Sequence, residues 1–206
     1  MYPRVSLYAF MLAAAGIPLY IHLPRFASVN LGMELGTVGA VLLAIRAIDL
    51  IQDPGIGWAI DRWPRFQGGF AMLAAFGLGL GFPLLFGTPA EGATILRLVL
   101  VLVLLFSAYS LGMVLLYSRS GSQAGGPGTS GQVRLAAWRE GGMLSGVILA
   151  AVAPTLLAGL GAGGQGYPAF GWLLGSIAAV AAILTLPLWR RPAIPGQRLS
   201  LPGLIQ

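Results

Sequence analysis

Residues Thr37–Ile60, TVGAVLLAIRAIDLIQDPGIGWAI, form 24 residues of predominantly apolar chain with only three charges, Arg46, Asp49 and Asp53. A helix needs ~20 apolar residues to cross the ~30 Å of bilayer hydrocarbon, so this stretch reads as a membrane-spanning helix. Working outward, five more runs have the same character. Val5–Leu23 precedes it, interrupted by Pro18 and closed by Pro24. Phe70–Phe86, Ala93–Tyr117, Leu135–Leu160 and Pro168–Trp189 follow it. The expected fold is an all-α membrane protein with six transmembrane helices over residues 1–191. The rest, Pro192–Gln206, holds three prolines and reads as a non-helical cytoplasmic tail.

Composition agrees with that expectation. The chain of 206 residues is 57% hydrophobic and only 9% charged, with mean hydropathy +0.83. Soluble domains average about 25% charged residues, so water could not solvate such a surface. All 12 basic residues are arginine, against six acids. A pI near 10.5 could suggest nucleic acid, but no solvated basic face exists to carry it. The absence of cysteine rules out disulfides and thiolate metal sites. A cleavable secretory leader is disfavoured, because the first apolar run is long and lacks a small-residue cleavage motif.

Arginine placement supplies orientation. Six spans put Arg4, Arg62, Arg65, Arg119, Arg134, Arg190, Arg191 and Arg198 on one side, and only Arg25 and Arg97 on the other. This asymmetry predicts cytoplasmic termini, and the expected location is the bacterial inner membrane. Between the fourth and fifth spans, Gly121–Gln132 is an uncharged Gly/Ser stretch that reads as a flexible loop.

Five charges remain inside the spans: Arg46, Asp49, Asp53, Arg139 and Glu140. A charge at mid-bilayer costs at least ~2.5–3.5 kcal/mol on insertion scales, so each needs a cavity or a partner. Arg46, Asp49, Asp53 and Gly57 recur at i, i+3, i+7 and i+11, which puts them within roughly 80° of one another around a helix, with Gly39 on the same stripe. Two carboxylates on one inward face suit a monovalent cation, Na⁺ or H⁺, with Arg46 one turn from Asp49. Arg139 is a candidate counter-ion or substrate contact. The plainer alternative is that Asp49 and Asp53 pair with Arg46 and Arg139 and only fasten two helices together. Asp61 reads as a loop residue, and Glu140 should point about 100° away from Arg139.

Other features carry less. Gly159-Leu-Gly-Ala-Gly-Gly164 satisfies the dinucleotide pattern without a preceding strand. Gly77, Gly79 and Gly81, and the pairs Gly142/Gly146 and Gly171/Gly175, read as close helix packing. His22, at the outer end of the first span, reads as an interfacial residue. No nucleophile–base pair, metal cluster or cofactor motif stands out, so an enzyme is not expected.

The second span and its following loop, Gly39 to Arg62 with the pattern Arg46-x-x-Asp49-x-x-x-Asp53-Pro54-x-x-Gly57 and the ending Asp61-Arg62, resemble the signature of the glycoside–pentoside–hexuronide:cation symporters. These are the melibiose-carrier-like branch of the major facilitator superfamily. Arg134-Leu-Ala-Ala-Trp138-Arg139-Glu140-Gly-Gly-Met-Leu-Ser-Gly146 resembles the start of their fifth helix. Gly16-Ile-Pro-Leu-Tyr20 to Leu23-Pro24 is a looser likeness in the first.

The resemblance implies a carrier working by alternating access between two six-helix halves. Asp49 and Asp53 would serve the coupling cation, and Arg139 the substrate and cation region. Two positions differ from the family pattern: Met113 stands where the melibiose carriers place a further Asp, and the loop after the fourth helix lacks the usual acids. The chain corresponds to the N-terminal half, so the expected partners are the lipid bilayer, a small polar solute such as a sugar, and a second six-helix half, a second copy or a larger membrane complex. The alternative function is a transport-inactive truncated paralogue acting as a subunit or assembly factor of a membrane complex.

Overall fold

The computed structural model describes residues 1–92, 94–118, 129–160 and 166–189. Arg119, Arg190, Arg191, Arg198, the Pro192–Gln206 tail and the last four residues of the Gly159–Gly164 pattern lie outside the described residues. Six helices are long and apolar enough to cross a membrane. They are α1 (Tyr2–Asn30), α2 (Leu35–Arg62), α3 (Gln67–Phe86), α4 (Ile95–Ser118), α5 (Thr129–Gly159) and α6 (Gly166–Trp189). No strand occurs among the described residues.

α1 differs from its sequence reading. It does not close at Pro24 but continues to Asn30. Pro18 and Pro24 lack the N–H of a regular helix, and their rings crowd the preceding turn. The chain accommodates them by widening into π turns at Pro18–His22 and Phe26–Asn30, where Leu23 N–H bonds the Pro18 carbonyl and Leu31 N–H the Phe26 carbonyl. Gly32, with φ +65°, then turns the chain toward α2. Two other readings are corrected. Thr129–Gln132 is not loop but the first turn of α5, and Asp61 is an exposed residue in the last turn of α2.

α1 is the centre of the bundle: 61% of its most apolar stretch is buried, against 17% for α2 and 28% for α5. α1 packs most extensively on α5, and α3 packs on α6 and α4. Glycines set these distances. A Cβ at Gly142 or Gly146 of α5 would run into the Ser6 or Phe10 carbonyl oxygens of α1. A Cβ at Gly171 or Gly175 of α6 would lie 2.7 Å from the Phe82 carbonyl or 2.8 Å from the Gly79 carbonyl of α3. Without a hydrophobic effect between lipid-immersed helices, such close backbone approach is a main source of association.

Pro154 interrupts α5 and leaves the Ala150 carbonyl, four residues earlier, without an intrahelical donor. His22 of α1 fills that role: its Nε2–H donates to the Ala150 oxygen at 3.0 Å. The ring lies edge-on to Phe170 and Tyr167 of α6, at 5.6 and 6.3 Å. His22 is therefore a half-buried interhelical bond rather than an interfacial residue, because α1 runs two turns past it.

Candidate functional site

The α2 charges sit halfway along their helix. Asp49 is about 21 Å from the Leu35 end at 1.5 Å per residue, near the middle of a 28-residue helix. Asp49 is buried, while Arg46 one turn earlier keeps 40% of its side chain exposed. The stripe is thus only partly inward. Gly39 is exposed, and a Cβ at Gly39 or Gly57 would meet nothing within 4 Å.

Arg46 and Asp49 are brought together. Arg46 Nη1 donates to Asp49 Oδ2 at 2.7 Å, and Nη2 donates to the Tyr20 hydroxyl of α1 at 2.6 Å. The guanidinium carbon also stands 4.4 Å from the Phe106 ring centroid and 4.7 Å from that of Tyr20. Stacking and charge-assisted bonds both suit a planar, weakly hydrated guanidinium better than an ammonium. Tyr20 in turn meets Phe106 and Tyr109 edge-on, at 6.0 and 6.5 Å. The Arg46–Asp49 bridge lies within one helix, so by itself it fastens no helix pair; the tie to α1 passes through Tyr20.

One turn further along α2 the chemistry changes. Asp53 Oδ1 and Gln52 Nε2 are buried and have no hydrogen-bond partner among the described residues. Gln52 Oε1 accepts a bond from Ser107 Oγ of α4 at 2.9 Å. Leaving a buried polar atom unpaired costs about 1–3 kcal/mol. Such an atom in mid-span marks a place where a proton or small cation could be received. Asp49 and Asp53 are about 6 Å apart along the axis, and Arg46 engages only the first of them.

Arg139 sits at the α4–α5 junction. Its Nη2 and Nε donate to Glu140 Oε1 at 2.8 and 3.0 Å, and its guanidinium lies 4.8 Å from the Tyr117 ring. The sequence reading turned Glu140 away from Arg139, but the long arginine side chain bends back to its exposed neighbour.

Sequence reasoning missed Tyr20, Gln52, Phe106, Ser107 and Tyr109. Gln52 and Ser107 carried a weak signal, each a polar side chain in an apolar run. The aromatic residues carried none, since their role depends on how α1 and α4 lie against α2.

A mid-span acid cluster in an apolar six-helix bundle suits a solute carrier, and comparison with protein families agrees. The model of the family described as MFS/sugar transport protein matches residues 5–194, nearly all of the chain. The chain belongs to this family. Members of the major facilitator superfamily are transporters and not enzymes, so the chain is an integral membrane protein of the transporter class. Comparison with curated proteins and with solved structures gives no match.

Proposed function

We propose that this MFS protein is a cation-coupled symporter of the melibiose-carrier-like type. It carries a small polar solute such as a sugar or glycoside, driven by Na⁺ or H⁺. Asp53 receives the coupling ion together with Asp49, Arg46 orients Asp49, and Arg139 approaches the solute. The observation that carries this reading is the buried Asp53 oxygen in mid-span, without a hydrogen-bond partner among the described residues, beside an Asp49 already neutralised by Arg46.

The bundle works with a second six-helix unit, in the bacterial inner membrane with both termini cytoplasmic. What supports the partner is the uneven cover of the helices. α2 and α5 leave most of their lengths open, and α2 carries a half-exposed arginine that hydrocarbon would not tolerate cheaply.

The test is uptake of radiolabelled sugars into proteoliposomes under imposed Na⁺ or H⁺ gradients, with Asp53→Asn as the control. Gradient-driven flux lost in the variant is expected. A correctly folded protein with no flux under either gradient would overturn the proposal. The closed Arg46–Asp49–Tyr20 cluster favours a second reading, a transport-inactive subunit of a membrane complex. Stoichiometric co-purification with unrelated membrane proteins, without flux, would select it.

A further inference from the structure

The bundle end that carries the α1–α2 and α3–α4 turns holds a small open cleft, lined by Met33, Leu84, Leu98, Val101, Thr94 and Arg97 among others. Thr94, Arg97, Leu98 and Val101 follow at i, i+3, i+4 and i+7, so one face of α4 supplies a hydroxyl, a guanidinium and two apolar side chains in order from the helix end inward.

The Arg97 side chain is half-buried, and among the described residues it has no hydrogen bond or ion pair. Glu34 and Glu91, the acids at this end, are exposed and do not bridge to it. Thr94 Oγ1 accepts the Arg97 backbone N–H at 3.2 Å, which leaves the hydroxyl hydrogen free to donate. Thr88, also on the rim, has already given its hydroxyl hydrogen to the Leu84 carbonyl at 2.6 Å.

We infer that this cleft binds a membrane phospholipid, its phosphodiester held by the Arg97 guanidinium and the Thr94 hydroxyl, with an acyl chain lying along Leu84 and Val101. The ligand must be anionic at its head because the unpaired group is a guanidinium, which matches phosphate oxygens in a planar, forked geometry. It must be apolar below because, beneath the rim, the wall is Leu31, Met33, Leu84, Leu85, Leu98 and Val101. A soluble anion would satisfy only the first condition. Ile95 and Leu96, on the same first turn of α4, are exposed apolar side chains, a surface that suits lipid better than water. This inference does not depend on the transport proposal.

The test is thermal unfolding of delipidated full-length protein in neutral detergent, with added phosphatidylglycerol, diacylglycerol or inorganic phosphate. Phosphatidylglycerol should raise the unfolding temperature saturably, whereas diacylglycerol and inorganic phosphate should each give little. Arg97→Gln should weaken the apparent lipid affinity about tenfold or more, as expected for loss of a charge-assisted bond. Arg97→Lys should recover part of that affinity, and Arg25→Gln, at the same bundle end, should leave it unchanged. Both Arg97 variants are compared only where helix content and elution match the parent; native mass spectrometry of lipid retained by Arg97→Lys against the parent covers the case in which Arg97→Gln does not fold. Equal lipid response in parent and Arg97→Gln, equal lipid retention by the parent and Arg97→Lys, or a full response to phosphate or diacylglycerol alone, would each overturn the inference.

Discussion

Replacing His22 with Phe removes one hydrogen bond and keeps an aromatic ring at the position. The ring's edge contacts with Phe170 and Tyr167 are largely retained, so the loss falls on the Ala150 carbonyl. Interhelical hydrogen bonds in membranes average ~0.6 kcal/mol and reach ~1.7, because the partner usually finds another donor when the bond is cut. Here Pro154 denies the carbonyl its own helix's donor. The cost should therefore fall in the upper part of that range, about 1–1.7 kcal/mol. Pro154→Ala restores the missing N–H, and in that background His22→Phe should cost much less. The measurable quantity is the coupling energy of the double-mutant cycle, about 1 kcal/mol, read by unfolding in mixed micelles titrated with SDS. A coupling of zero, with His22→Phe equally damaging in both backgrounds, would refute the account of His22 as the surrogate donor at the kink.

Other consequences are direct. Gly146→Val should prevent recovery of monodisperse protein, because the added carbons would meet the Phe10 carbonyl and the Ala14 nitrogen at 2.9 Å, both backbone atoms; Gly79→Ala, whose Cβ has its nearest neighbour at 3.7 Å, should express and elute as the parent does. Tyr20→Phe should lower unfolding stability by about 0.6–1.7 kcal/mol through loss of an interhelical hydrogen bond, while Arg46→Lys should lower it at least as much, since an ammonium cannot hold the fork to Asp49 and Tyr20 and stack on Phe106 as well. Asp53→Asn should leave stability unchanged or raise it slightly, a carboxylate being harder to bury than an amide, and should abolish gradient-driven flux in proteoliposomes.

The helix count was legible because hydropathy answers a length question: each run either covers the bilayer or does not. Where helices end is a local backbone matter, and there the reading failed for specific reasons. Pro24 is normally a terminator, but a π turn on either side lets α1 pass it. Thr129–Gln132 looks like a continuation of the Gly/Ser stretch, yet it carries enough helix-compatible chain to begin α5 early. At the site, the i, i+3 pairing of Arg46 with Asp49 was legible because both lie on one helix. Tyr20, 26 residues from Arg46, and Ser107, 55 residues from Gln52, meet their partners only through the arrangement of three helices. Periodicity within one segment says nothing about that.

The central position of α1 bears on how the chain is made. Its tightest seam, Ser6 against Gly142, joins positions 136 residues apart. At ~5–20 residues per second of synthesis, the N-terminal helix waits on the order of ten seconds before its principal mate leaves the ribosome. Through that interval His22 and the Ser6–Phe10 stretch of α1 lack the α5 groups that they meet in the finished bundle. The seam that α1 and α5 share is therefore among the last contacts that the growing chain can make.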